Sequence, residues 1–452
     1  MTDPDDILDV LAARFGGAAG STAFVDRGRT VTYGALLAET AAAGAWAASA
    51  GVAPGDPVVV LGDYSPEVFA LLLALLRRRA IVVPVTGESL VELGTVVELS
   101  EAAWVVDTRG PERTIRATGT QAGHPLIRGL ASRGVPGLIL FSSGSTGRPK
   151  AILHDMAAVL AKFRRPGTPI TAIAFLMLDH FGGINTIFSI LGGSGTVVTV
   201  EDRSVLTICR AIEANRVEVL PTTPSFLNLL IRSGVLARFD LGSLRKITYG
   251  TEVMPQQTLD RVRAAFPGVV LQQTYGLSEL GVLRSRSRED GSLWVRIGGE
   301  GFETKVLDGI LWIRSEYAMV GYLNAPSGFD GDGWFNTEDR VEVDGEWLRI
   351  LGRDSDLINV AGQKVYPAEV EQAILALPNI RDVAVFGEPH PLLGNAVVAR
   401  VVTETPESAA DLKIRIRTAC AAELAAFKLP TRVLLADEAD LYSVRLKKRR
   451  RA

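Results

Sequence analysis

Cysteine is nearly absent: the 452 residues hold two, Cys209 and Cys420, far apart and in no metal or disulfide spacing. That excludes a disulfide framework or thiolate metal site and fits a reducing, cytoplasmic setting. Histidine is also scarce, with four in the chain. Three of them, His124, His154 and His390, have no partner pattern from which a zinc site or a Ser–His pair could be assembled. Charge of one sign is lacking. A net charge of −3 gives no electrostatic case for nucleic acid or an anionic membrane. Long hydrophobic runs are missing too: the greasiest, Val68 to Leu76, stops at Arg77-Arg78-Arg79, too short for a membrane span. The first residues, Met1 to Asp6, are acidic and carry no signal-peptide core. There are no internal repeats. The one strongly biased segment is the tail Lys447-Lys448-Arg449-Arg450-Arg451, by default a solvated basic tail.

What is present is a chain of soluble globular composition, 47% apolar and 22% charged, too long for one core. Phe24 to Tyr33 alternates about Arg27-Gly28 and reads as a hairpin. A helix over Ala35 to Ala50, a strand over Val58 to Leu61, a helix from Ser65-Pro66-Glu67 to Arg78 and a strand over Ile81 to Val85 follow. The rhythm continues through Val197 to Val200, Val205 to Ala214, Val217 to Leu220 and Pro224 to Ser233. Such alternation predicts parallel, doubly wound α/β sheets. After Gly281 short strands and Gly/Asp turns take over, the texture of a small β-barrel spanning about 282–352. Gly352 to Asp356 is a polar break suited to a linker, followed by about a hundred residues of α+β texture. The expected organisation is a large domain over 1–352 and a small one over 353–452.

One stretch stands out, Phe141-Ser142-Ser143-Gly144-Ser145-Thr146-Gly147-Arg148-Pro149-Lys150, set between the apolar runs Gly137 to Leu140 and Ala151 to Leu153. Small hydroxyl residues and glycines let backbone N–H groups face inward around an anion, while the lysine adds charge. It is not the common nucleotide P-loop: Pro149 precedes the lysine, no Ser or Thr follows it, and no helix starts there.

This loop resembles the phosphate loop of the adenylate-forming superfamily of acyl-CoA synthetases, peptide-synthetase adenylation domains and luciferases. Further matches run in the family's order from Thr32-Tyr33 to Glu371. The resemblance implies that Ser142, Ser143, Gly144, Ser145, Thr146, Gly147 and Lys150 hold the β- and γ-phosphates of ATP. In Gln273 to Glu279 it implies that Tyr275 stacks on adenine, Ser278 contacts the α-phosphate and Glu279 binds magnesium, with Gly276 and Leu277 at the substrate pocket. Gly250, Thr251 and Glu252 resemble the turn lining the adenine and acyl pocket. Asp339, in Trp334 to Asp339, resembles the aspartate that binds both ribose hydroxyls. Glu338 stands where the family has glycine, so an altered turn is expected. Arg353 would reach ribose, and Ser355 takes the hinge position of a mobile C-terminal domain, where Asp or Lys is usual. Gly362 and Lys364 would face the thioester tunnel.

Leu178 to Asn185, with His180 and Phe181, is similar to the pocket of acyl- and aryl-CoA ligases more than to that of amino-acid-activating relatives. Asp179 lies one residue early to pair with an α-ammonium. The family's C-terminal Gly-Lys falls on Arg445-Leu446. Lys447, one residue on, and Arg445 are therefore the candidate cations, alongside a tail with no catalytic cation. The implied reaction is ATP- and magnesium-dependent activation of an aryl or acyl carboxylic acid to an adenylate. Transfer to CoA or a phosphopantetheinyl carrier protein would follow. Two alternatives stay open: transfer to an amine or activation of a non-carboxylate, and a degenerate nucleotide-binding homologue without turnover.

Overall fold

The apolar run at Val68 to Leu76 forms a helix, Pro66–Arg77, capped by the Ser65 hydroxyl, which accepts from the Val68 amide at 3.1 Å. Every residue from Val68 to Leu76 is buried. The run therefore lacks an amphipathic stripe because the helix is covered all round. It lies between two sheets beside the Phe181–Gly192 helix, with the Phe69 ring 5.3 Å from Phe188 and 6.0 Å from Phe24. Each large side chain sealed there contributes about 1.5–3 kcal/mol.

A computed structural model describes residues 6–448 apart from 88, 90, 143–148, 290 and 443–447, with the side chains of 438 and 439 also set aside. The protein is α/β. In the first sheet the strands run Val270–Gln273, Lys246–Tyr249, Val219–Thr222, Thr171–Ile173, Thr196–Val198, Thr22–Asp26 and Arg29–Thr32. All pairings there are parallel except the closing hairpin. The second sheet has a parallel centre of Gly137–Ser142, Ile81–Val85, Pro57–Leu61 and Trp104–Asp107. Antiparallel strands flank that centre, Lys150–Asp155 and Gly321–Tyr322 on one side and Thr114–Ala117 on the other.

From Tyr275 the chain builds a seven-stranded antiparallel sheet ending in Trp347–Arg353. The small barrel expected of this region is, in its pairing, an open path, with Tyr275–Leu277 at one end and Phe302–Leu307 at the other. The expected linker is short. Strand pairing persists through Arg353, opposite Asp339, one 3₁₀ turn covers Asp354–Asp356, and Ile358–Val360 already belongs to the fourth, five-stranded sheet. That sheet and the Pro367–Leu375 and Ala409–Cys420 helices enclose a core of their own, giving a smaller C-terminal domain. No helix among the described residues is long and apolar enough to cross a membrane.

Candidate active site

Strands Gly137–Ser142 and Lys150–Asp155 pair so that Ser142 lies opposite Lys150. The anion-loop candidate is thus the connection of an antiparallel pair, as strand–loop–strand reading requires. Ser143, Gly144, Ser145, Thr146 and Gly147 lie outside the described residues; Ser142 and Lys150 fix the two ends. Asn324 holds the exit of the loop, donating from Nδ2 to the Pro149 carbonyl at 2.8 Å and accepting from the Ala151 amide at 2.9 Å. Its neighbours Gly321–Tyr322 add a strand to Lys150–Asp155, which brings Tyr322 beside the loop. The Lys150 ammonium then sits 4.8 Å from the centre of the Tyr322 ring.

The Tyr322 hydroxyl donates to Glu279 Oε1 at 2.8 Å, and the Glu279 carbonyl accepts from the Met319 amide at 2.7 Å. Burial and the Glu279 carboxylate raise the Tyr322 pKa, so the phenol stays protonated and donates. Glu279 lies in the turn after Tyr275–Leu277. Gly276 in that strand has to be glycine: a Cβ would stand 2.7 Å from the Gly281 carbonyl oxygen. Leu277 is buried and Ser278 half-buried.

Tyr275, Asp339 and Arg353 come together although they are far apart in sequence. The Tyr275 hydroxyl donates to Asp339 Oδ2 at 2.5 Å, and Arg353 Nε stands 3.3 Å from Asp339 Oδ1. Burial raises the Asp339 pKa, opposed by the Arg353 charge and the Tyr275 hydrogen bond. Tyr275 is likewise pushed well above its ordinary value, by burial and then by Asp339. Arg353 also feels the Glu279 carboxylate, which ties this cluster to the one around Tyr322. Thr337-Glu338-Asp339 lies inside the Phe335–Asp344 strand. Glu338 adopts φ +59°, with its amide donating to Asn336 Oδ1 at 2.9 Å, and the Asp339 amide donates to the Thr337 hydroxyl at 3.0 Å. The Asx-type bond steadies a left-handed backbone that an ordinary side chain avoids.

Around Gly250 the fit is as tight, since a Cβ would meet the Thr274 hydroxyl at 2.4 Å. Thr251 sits at φ +72°, a strained setting for a β-branched residue. Glu252 accepts from the Ser225 hydroxyl at 2.5 Å and from the Lys448 amide at 2.8 Å. His180 caps the Phe181–Gly192 helix, its Nδ1 accepting from the Gly182 amide at 3.1 Å. Phe181 is buried with its ring 5.0 Å from His154. Asp179 is buried and accepts from the Thr86 hydroxyl at 3.2 Å. Ser355 occupies the 3₁₀ turn. Gly362 turns the hairpin between Ile358–Val360 and Gln363–Val365, and Lys364 is exposed on it. No hydrogen bond or ion pair joins this hairpin to the Tyr275–Asp339–Arg353 cluster among the described residues.

The tail has its own partners. Lys447 and Arg445 lie outside the described residues. Lys448 is described, and its ammonium is 3.1 Å from Asp382 Oδ1 and donates to the Val383 carbonyl at 2.8 Å. Asp382 also accepts from Tyr442 and, at 2.9 Å, from Asn228 on the Pro224–Arg232 helix. Tyr322, Asn324 and Asp382 escape sequence reading because their partners come from distant strands and helices. Only the aromatic beside glycine at Gly321–Tyr322 hints at a special position.

Glu279, Lys150 and the loop ends fit a nucleotide triphosphate with a divalent ion. No group of three or more His, Cys, Asp or Glu side chains converges among the described residues. A metal here would rest on the Glu279 carboxylate, with phosphate and water oxygens completing its shell, which suits magnesium.

Comparison with known proteins points the same way. The AMP-binding enzyme model matches residues 11–323, and the AMP-binding enzyme C-terminal domain model matches residues 369–444. The chain is 31% identical over 321 residues to a 3-[(3aS,4S,7aS)-7a-methyl-1,5-dioxo-octahydro-1H-inden-4-yl]propanoyl:CoA ligase of Mycobacterium tuberculosis, covering 66% of this chain and 62% of that protein. It is 27% identical to indoleacetate–CoA ligase of Aromatoleum aromaticum, covering 93% and 92% of the two chains. Among solved structures, the amide bond synthetase McbA from Marinactinospora thermotolerans shares the fold. The TM-score is 0.80 at 22% identity, over 98% of each chain. Since the first family model alone spans more than half the sequence and takes in the Ser142–Lys150 loop and Glu279, this chain belongs to the AMP-binding enzymes.

Proposed function

We infer that the protein activates a small carboxylic acid with ATP, releases pyrophosphate, and passes the acyl group to the thiol of CoA. The observation that carries this reading is the meeting of Lys150 and Glu279 on the Tyr322 ring at the end of the Ser142–Lys150 loop, coupled to Tyr275, Asp339 and Arg353.

In the first step a carboxylate oxygen attacks the α-phosphorus and the bond to the bridging oxygen breaks, so pyrophosphate leaves with that electron pair. The barrier is chiefly electrostatic and positional, because two anions must approach. The loop from Ser142 to Lys150, including Ser143, Gly144, Ser145, Thr146 and Gly147, would hold the departing phosphates. Glu279 would hold a magnesium ion, which would supply positive charge to the phosphates, and Tyr322 would fix that carboxylate's direction. Tyr275 and the Gly250–Thr251 turn would border adenine, while Asp339, steadied by Arg353, would accept from the ribose hydroxyls. Lys447 or Arg445 would approach the α-phosphate. In the second step the thiol sulfur bonds to the acyl carbon, loses its proton, and the C–O bond to AMP breaks.

The domain boundary in this reading is 352/353, with the hinge at Ser355 in the single 3₁₀ turn between two sheets. Rotation there would carry Gly362 and Lys364 toward the thioester site.

The test is product analysis with ATP, magnesium and a panel of aryl and medium-chain acids, with and without CoA. Formation of AMP, pyrophosphate and an acyl-CoA from one or more acids is expected. ATP turned over to ADP, or no acid-dependent AMP with any acid, overturns the reading. Replacing CoA by a phosphopantetheinylated carrier protein or an amine identifies the acceptor. Separate Lys447→Ala and Arg445→Ala variants, assayed for both steps, assign the tail cation.

A further inference from the structure

His154 is the one histidine sealed from water, and neither ring nitrogen has a hydrogen-bond partner of good geometry among the described residues. Burial pushes its pKa down to about 3, so the ring is neutral, with one N–H donor and one bare acceptor nitrogen. A histidine that merely fills a core is ordinarily satisfied there. Leucine would occupy much the same space without stranding two polar atoms, each of which is costly to leave unmatched.

The strand that carries the ring explains where its N–H is needed. Side chains alternate along Lys150–Asp155, so Lys150, Ile152 and His154 share one face. Ile152 packs on that face in one core with Tyr275, Leu277 and Tyr322. Lys150 therefore stands at the phosphate-loop end of the face, and His154 lies four residues further along it. The Phe181 ring closes one side, its centre 5.0 Å from that of the imidazole. The Ser278 backbone faces the imidazole, and its pull toward the protonated ring is that of a carbonyl oxygen. The carbonyls on either side are engaged: that of Leu277 accepts from the Leu280 amide at 3.2 Å and that of Glu279 from the Met319 amide at 2.7 Å. The Ser278 carbonyl is thus the one in this turn that an imidazole N–H on the strand beneath can hold.

We propose that His154 is a positioning residue for the Ser278–Glu279 turn: its imidazole N–H donates to the Ser278 carbonyl once Ser278 and Glu279 engage the phosphates and metal of bound ATP. This rests on the nucleotide-site roles of Ser278 and Glu279 in the function inferred above. A buried donor that is matched only with the turn engaged favours that arrangement by the worth of one neutral hydrogen bond, roughly 3- to 10-fold in ATP affinity.

The experiment compares wild type, His154→Leu and His154→Gln as full chains at about pH 8, where unperturbed histidines are neutral as well. Three readouts are taken: thermal unfolding, ATP–pyrophosphate exchange, and NMR of the imidazole N–H groups in histidine-labelled protein. Adding ATP and magnesium to wild type should move the His154 N–H resonance, identified by its absence from His154→Leu, downfield as a new hydrogen bond forms. His154→Leu should unfold at the same temperature or higher, because two unmatched nitrogens leave the core. Its KM for ATP should nevertheless rise about 3- to 10-fold, with kcat and the KM for the acid little changed. His154→Gln, which keeps an N–H at similar reach, should recover part of that KM. A resonance that ATP leaves in place, an unchanged KM for ATP in His154→Leu, or a glutamine variant no better than leucine at equal stability overturns the proposal. So does a lowered unfolding temperature with every kinetic constant altered together. The NMR readout separates the two inferences. A shift on adding ATP without exchange on any acid would sink the acid-activating reading alone. Normal exchange with an unmoved N–H would sink only the role of His154.

Discussion

Two polar clusters in this protein are built in opposite ways. Around Tyr322 the charged groups remain partly open: Lys150 is half-buried and about half of the Arg353 side chain is exposed. Around Asp382 they are sealed, with the Lys448 side chain 9% exposed and Asp382 1%. An open cluster can exchange its internal contacts for those of a ligand at modest cost. A sealed ion pair cannot release its ammonium without leaving a buried carboxylate behind. The first is therefore assigned to chemistry and the second to docking the C-terminal domain against the Pro224–Arg232 helix, where Asn228 also holds Asp382. A lysine-rich tail is thus not a set of interchangeable cations: Lys448 is committed to structure.

The largest effect that separates the clusters is expected for Glu279→Gln. Loss of the carboxylate that Tyr322 holds should lower acid-dependent AMP formation by about 10²–10³-fold, with the melting temperature nearly unchanged. Activity kept within a few-fold would move the metal elsewhere. Lys448→Met should do the reverse. It strands Asp382 and should cost about 3 kcal/mol of stability in denaturant unfolding, with exchange largely retained at low temperature. A variant as stable as the parent would show that the pair is not sealed in solution.

His154 tests the floor of the active cluster. Its ring is fully buried, burial pushes its pKa down to about 3, and the Ser278 backbone opposes this without forming a good hydrogen bond. The unfolded chain then binds the extra proton first, so the stability this group contributes is complete above about pH 6.5 and lost as pH falls toward 3. About 2 kcal/mol should go between pH 6.5 and 5, and His154→Leu should flatten that slope in pH-dependent melting. The same slope in the variant would remove His154 as its source. The smallest effect expected is for Glu338→Gly, which relieves a left-handed glutamate. It should stabilise by about 1 kcal/mol and leave the KM for ATP unchanged. A rise in that KM would assign the Glu338 side chain to the nucleotide.

Legibility in the sequence followed the reach of local geometry. Tyr275, Glu279, Asp339 and Arg353 were named through resemblance to a family, each in a short stretch whose residue types and order carry that resemblance. At Glu338, where the resemblance leads to an altered turn, Asn336 and Thr337 supply hydrogen bonds within the same few residues. What escaped depends on contacts between separate elements, from under thirty to almost two hundred residues apart. Tyr322 and Asn324 reach the loop because Gly321–Tyr322 pairs with Lys150–Asp155. Glu252, placed by motif at the adenine, is held by Ser225 and the tail.

The account stands on the Lys150–Tyr322–Glu279 and Tyr275–Asp339–Arg353 sub-clusters forming one nucleotide site. Its most direct test is ATP–pyrophosphate exchange, with an acid that wild type accepts, in wild type and Asp339→Asn side by side. A variant that still folds, and whose KM for ATP rises about tenfold or more while the KM for the acid stays put, is the expected result. Unchanged ATP dependence in Asp339→Asn, in a protein that exchanges normally, would contradict it.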